Sequence, residues 1–241
     1  MIKGITCRFL TIPGKGYEFM AKINNTRSGC NDVFRAFLVK NATYSGEQEI
    51  PCLKKETAIP NSLILFSKAI SSKSFDSWVC FYEDDVNFER IWNNPRKYLP
   101  ILKRFAGVVS PDFSLYRDMP LVMQEWNVYR NRAIAHWLQE EGVSVIPNIR
   151  WGDKRTYKIC CNGIQQGGTI AIGSHGCIKL LQEREPFKSG LDYVVSRLHP
   201  KTIVVYGKAP DAIFEKYRKS GIVIKQFESD FSIAHRKVVS E

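Results

Sequence analysis

Gly107-Val-Val-Ser110, then Met119-Pro-Leu-Val-Met-Gln-Glu-Trp-Asn-Val-Tyr-Arg-Asn-Arg-Ala-Ile-Ala-His-Trp-Leu-Gln-Glu-Glu141, then Gly142-Val-Ser-Val-Ile146 carry the clearest structural pattern in the chain. Its first and last pieces are short, unbroken apolar runs next to turn residues, the pattern of strands covered on both faces. Between them Val122, Trp126, Tyr129, Ala133 and Trp137 recur at steps of three and four, which places them on one face of a helix over residues 119–141. Asp118 is positioned to cap that helix, Pro120 is tolerated in its first turn, and Gly142 can stop it. A strand, a helix and a second strand in this order make a parallel βα unit.

The alternation extends in both directions. Strands are expected over residues 78–82, 107–110, 143–146, 169–172, 202–206 and 222–227. Helices are expected over residues 87–105, with Pro95 and Pro100 as breaks or kinks, near 156–161, and over 186–198 and 210–220. About five βα units and a closing strand predict an α/β protein with a mostly parallel sheet. A strand count short of eight points first to an open, doubly wound sheet, with a TIM-like, incomplete barrel as the other architecture. Residues 1–75 read as an irregular, β-containing elaboration packed on the 76–241 core, the two forming one unit. β-like runs lie at 5–12, 33–39 and 63–66, separated by the turn chemistry of Pro13-Gly14-Lys15-Gly16, Ser28-Gly29 and Ser45-Gly46. No helix is expected there.

A chain of 241 residues, 44% apolar and 24% charged, can bury a full core without a disulfide or a metal to staple it. The net charge of +11 and the pI near 9.3 favour anionic partners, either nucleic acid or another phosphate-bearing ligand. The simpler account is a solvated basic surface, because the basic residues are scattered. Seven cysteines without any C-x-x-C pair read as free thiols in a reducing, cytoplasmic compartment. Residues 1–20 have no signal-peptide core, and no apolar stretch is long enough to span a bilayer, so no membrane partner is expected. Pro13-Gly14-Lys15-Gly16 lacks the complete phosphate-loop pattern. The G-x-S-x-G, H-E-x-x-H, dinucleotide-fingerprint and helix-turn-helix patterns are also absent.

In either architecture, sites form at the carboxyl ends of parallel strands. There the sequence gathers Glu83-Asp84-Asp85, Asp112-Phe113-Ser114, Asn148 to Asp153, Gly173-Ser174-His175-Gly176, Tyr206-Gly207-Lys208 and Glu228-Ser229-Asp230. Carboxylates crowded on one edge repel unless a cation sits among them. Asp84, Asp112, Asp153 and Glu228 are therefore candidate ligands for a divalent metal, the one cofactor this set suggests. Asp84, Asp112, Asp153 and His175 are the candidate catalytic groups for phosphoester chemistry. His175 sits between small residues, where a ligand can approach the backbone closely. Arg150, Trp151, Lys154, Arg155 and Ser174 are candidate substrate and phosphate contacts, an arginine fork beside an aromatic ring being suited to a phosphate or a base. The structural alternative for each acidic residue is to cap the next helix or remain solvated. For His175 it is a local turn hydrogen bond, and for Trp151 it is core packing.

Several of these segments resemble an uncharacterised bacterial and phage family, domain of unknown function 4417. They are Phe81-Tyr-Glu-Asp-Asp85, Ser110-Pro-Asp-Phe-Ser-Leu-Tyr-Arg-Asp-Met-Pro120, Val145-Ile-Pro-Asn-Ile-Arg-Trp-Gly-Asp153, Gly173-Ser-His-Gly-Cys-Ile-Lys179 and Thr202-Ile-Val-Val-Tyr-Gly207. The resemblance runs from about Gly29 to about His235. It implies a phage or mobile-element setting and no particular activity or cofactor. Three functions follow as expectations: a metal-assisted hydrolase acting on nucleic acid or a nucleotide-like phosphate; a nucleic-acid-binding protein without catalysis; and a phage-encoded inhibitor or adaptor that binds a host protein.

Overall fold

The computed structural model describes residues 18–19, 35–178 and 180–230. The expected strand at residues 5–12 and the turns at Pro13-Gly14-Lys15-Gly16 and Ser28-Gly29 lie outside these. Three short strands, β1 (Glu18–Phe19), β2 (Tyr44–Ser45) and β3 (Ile50–Pro51), form a small antiparallel sheet. The chain then alternates β4 (Leu63–Leu65), α1 (Phe66–Ala69), β5 (Trp78–Cys80), α2 (Asp85–Asn93), α3 (Pro95–Leu102) and β6 (Gly107–Val109). It continues through α4 (Leu121–Glu140), β7 (Val145–Ile146), α5 (Tyr157–Cys161), β8 (Thr169–Gly173), α6 (Leu181–Leu198), β9 (Thr202–Tyr206), α7 (Asp211–Lys219) and β10 (Val223–Phe227).

β4 to β7 form one parallel sheet in chain order, and β8 to β10 form a second. A parallel bridge between Asn148 and Ala171 joins them. There the Ile149 N–H donates to the Ala171 carbonyl at 2.8 Å, and the Ala171 N–H donates to the Pro147 carbonyl at 2.9 Å. The seven parallel strands therefore follow one another without reversal. A doubly wound sheet needs a point where the strand order turns back, so this chain winds one way, in the manner of an incomplete barrel.

Packing agrees with that winding. Trp78 and Cys80 from β5, Val109 from β6, Ile146 from β7, Ala171 from β8 and Val204 and Tyr206 from β9 meet in one interior cluster, with Leu63, Leu65 and Phe227 against it. The Tyr82 and Tyr206 rings stack across the interior with centroids 4.7 Å apart. Alternate residues point outward, because successive side chains of a strand leave on opposite faces. Val79, Phe81, Val108 and Val145 pack beneath α1 to α4. Ile170, Ile172, Ile203 and Val205 pack beneath α5 to α7.

Local departures from expectation have local causes. The helix expected over 87–105 is two helices, parted at Asn94, with Pro95 supplying the first residue of α3. Residues 36–39, read as β-like, form a 3-10 turn (Ala36–Val39) that buries Leu38 and Val39, and α1 stands where no helix was expected. Leu63–Leu65, placed by sequence in the N-terminal segment, pairs in parallel with Trp78–Cys80 and begins the barrel. In α4 the apolar stripe is not all core: Val122 is 70% and Trp126 47% exposed, while Gln124, Asn127, Asn131 and Arg132 are buried.

Candidate functional site

The buried polar residues of α4 face a polar network at the carboxyl ends of β5, β6 and β7. Ser110, directly after β6, donates from Oγ to Asn131 Oδ1 at 3.0 Å and accepts the Asn148 backbone N–H at 2.8 Å. The Asn148 amide then bridges two strands: Nδ2 donates to Asp112 Oδ1 at 2.7 Å, and Oδ1 accepts the Tyr82 hydroxyl at 2.9 Å. The second Asp112 oxygen accepts Nη1 of Arg150 at 2.9 Å. Burial pushes the Asp112 carboxyl up from its ordinary value, and Arg150 and Asn148 pull it back. The same carboxylate raises Arg150, which is therefore a fixed cation. Behind this layer Arg132 donates to Asn131 Oδ1 and to the carbonyls of Asn148, Cys160 and Asn162. Desolvation lowers Arg132 to about 10, so it remains charged at neutral pH.

Above the network lies a cleft of about 590 Å³. Its floor holds Arg150 and Gly173, and its walls come from Leu115 to Asp118, from Trp151 and Phe187, and from His175 to Cys177. Among the described residues Asp112 is the one acceptor for the Arg150 guanidinium, so its other N–H donors are available to the cleft. Trp151 is set by α6. A Cβ on Gly190 would stand 2.1 Å from its Nε1, so only glycine admits the indole there. The Phe187 ring lies 5.5 Å from Trp151. Across the mouth Arg117 pairs with Glu183.

The family profile described as "Domain of unknown function (DUF4417)" matches residues 42–228. The chain belongs to the DUF4417 family. The matched span includes β4 to β10 and every residue lining the cleft. The "Gene 1 protein" of Mycobacterium phage D29 is 33% identical to the DUF4417 chain over 171 residues, which cover 68% of this chain and 62% of the phage protein. The "Gene 1 protein" of Mycobacterium phage L5 is 33% identical over 168 residues, covering 68% of this chain and 73% of that protein. The chain thus spans somewhat under two thirds of the D29 relative. No solved structure matches.

Of the residues singled out from sequence, the DUF4417 fold brings Asp112, Arg150, Trp151 and His175 to one place, the cleft and its floor. His175 is exposed at the rim, with Nδ1 3.4 Å from Ser229 Oγ. The others lie elsewhere or are engaged. Asp84 is exposed at the start of α2 and makes no side-chain cap. Asp153 holds Arg155 at 2.8 Å, which lowers its carboxyl, and Lys154 is exposed beside them. Ser174 is buried and donates to the Lys208 carbonyl at 2.7 Å. Glu228 is exposed after β10. Among the described residues no three His, Cys, Asp or Glu side chains converge to hold a metal, and both Asp112 oxygens already accept protein donors. The fold therefore does not bring Asp84, Asp112, Asp153 and Glu228 together as a metal-ligand set.

Sequence reasoning gave Tyr82 no role and took Asn148 only as part of a strand end, and Arg132 read as a basic-rim or solvent-facing residue of the long helix, which its burial corrects. Tyr82 and Asn148 stood at strand ends without a charge to mark them. The buried polar face of α4 did carry a signal: Gln124, Asn127 and Asn131 recur at steps of three and four, as buried residues do.

Proposed function

We propose that the cleft binds a phosphate-bearing ligand, a nucleotide or a nucleotide of a nucleic acid, and supports hydrolysis of its phosphoester. The observation that carries this reading is Arg150: a cation held by a buried carboxylate through one nitrogen, lining a cleft at the carboxyl ends of parallel strands. An arginine held in this way gives up little freedom on meeting a planar pair of anionic oxygens. Trp151 and Tyr116 supply apolar and aromatic surface beside it. A cleft of this size suits a small molecule. His175 on the opposite wall is the group suited to exchange a proton with an attacking water or a leaving oxygen. The 33%-identical relatives are phage proteins, which gives the family the phage setting this reading assumes.

Titration calorimetry with adenosine 5′-monophosphate tests the binding. The wild type should bind, and Arg150→Met should lose about tenfold or more in affinity, the usual scale for a charged hydrogen bond. Equal affinity in the two proteins would sink the reading. Release of phosphate by the wild type but not by His175→Ala would mark the site as catalytic. Binding without release in either protein would leave a nucleotide-binding module.

A further inference from the structure

Charge is distributed unevenly between the molecule and its cleft. The whole chain carries +11, but the cleft does not share that excess: Arg117, Arg150, Asp118 and Glu183 line it, two of each sign, and Asp112 lies beneath the floor. Arg117 is already paired with Glu183, and Arg150 with Asp112. Asp118 is exposed on the wall and has no partner among the described residues. Each arginine gives one nitrogen to its carboxylate, but Arg117 is the more exposed of the two and Arg150 is held by a buried partner, so Arg150 is the fixed donor group for an anion, and the carboxylate on the wall repels a second anion while accepting hydrogen bonds from amino or hydroxyl groups. The aromatic surface is on the same walls: Tyr116, 58% exposed, and Trp151 with Phe187 behind it.

We infer that the cleft selects a ligand with a single phosphate and an amine-bearing base, a nucleoside monophosphate or the terminal nucleotide of a strand, and discriminates against polyphosphates. This rests on the phosphate-binding reading above and goes further, naming the number of phosphates and the residue that limits it. The phosphate would lie on Arg150, the base against Tyr116 or Trp151, and Asp118 would accept from a sugar hydroxyl or the exocyclic amine. Each added phosphate would be forced toward Asp118 and Glu183.

Titration calorimetry at low salt with adenosine 5′-mono-, di- and triphosphate decides it. Affinity should fall from mono- to triphosphate by about tenfold, as expected for a like charge brought close in a partly desolvated site. Asp118→Asn, at an exposed position that does not threaten folding and with an amide oxygen that still accepts from the ligand, should close most of that gap by improving triphosphate binding, while monophosphate affinity stays level or falls slightly. Affinity that climbs with each phosphate, unchanged by Asp118→Asn, would overturn the inference and leave the phosphate-binding reading intact. If none of the three nucleotides binds, or if Arg150→Met binds them all like the wild type, the reading itself fails and the inference fails with it. A 5′-phosphorylated oligonucleotide that displaces the monophosphate, when its unphosphorylated twin does not, would assign the ligand to a strand end. Displacement by neither would assign it to the free nucleotide.

Discussion

Replacing Asp112 with alanine would leave the Arg150 guanidinium half-enclosed without its anion, and the Asn148 amide without its acceptor. Removing one partner of such a pair costs on the order of 3 kcal/mol, more than the pair contributes, because the remaining charge stays desolvated. Urea denaturation of Asp112→Ala should show a loss of that size. Asp112→Asn, which keeps the shape and one acceptor, should lose about half as much. Arg132 is a different case. It is buried with no carboxylate partner among the described residues, and carbonyl and amide oxygens hold its charge. Lysine cannot reach three carbonyls and an amide from one rigid fork. Arg132→Lys should therefore destabilise by about 2–3 kcal/mol in the same assay despite keeping the charge. These residues also show what was legible in sequence. Asp112 and Arg150 announced themselves by charge at strand ends. Asn148 and Tyr82 did not, because neutral hydrogen-bonding groups look alike in sequence whether they face water or a buried carboxylate.

At the scale of elements, α4 and α6 set the site. The first half of α4 buries polar side chains against the strand ends, and its second half buries Ala133 to Leu138 against the barrel wall. That is why its heptad-like apolar stripe misled: the helix spans both a polar edge and an apolar wall, so no single face is hydrophobic along its length. His136 belongs to the second half, where Nδ1 meets the Cys52 carbonyl at 3.1 Å and Nε2 is buried without a partner. Burial lowers its pKa below the ordinary 6.5. Between the folded and unfolded values only the unfolded chain takes up the proton, so this contribution is complete above 6.5 and is lost as the pH falls below it. The urea midpoint should drop between pH 7.5 and 5.5, and His136→Gln should flatten that slope. In α6, Gly190→Ala sets two effects against each other. Alanine gains about 1 kcal/mol in helix propensity, but its methyl would meet the Trp151 ring. The clash wins if near-ultraviolet circular dichroism changes and the midpoint falls, which is the expected result. Of the two prolines in the 87–105 stretch, by contrast, Pro95 announced the division plainly, since a proline at a helix start is pre-set for it, whereas Pro100 lies inside α3.

For the molecule as a whole, a cleft lined by two cations and two anions means that the +11 charge resides elsewhere in the chain. If a nucleic-acid strand binds, its backbone must meet that outer charge, so oligonucleotide affinity should weaken steeply between 50 and 200 mM salt, with adenosine 5′-monophosphate affinity far less affected. Fluorescence anisotropy of a labelled strand beside calorimetry of the nucleotide would separate the two slopes, and parallel slopes would refute the division. The parallel α/β class and most strand positions were readable because buried strands and amphipathic helices leave different periods in sequence. The choice of a one-way winding was not, since strand order depends on which strands pair, and periodicity says nothing about pairing. One further consequence follows from the Asn148–Ala171 bridge. It is the thinnest junction between consecutive strands of β4 to β10, and the outer packing also divides there, with one hydrophobic layer on each side. Arg150 stands just beyond the first half and His175 at the end of the second half's first strand. A ligand that touches both acts as a clasp across a seam, so its arrival should slow amide hydrogen exchange at Ile149 and Ala171 more than in either half's interior.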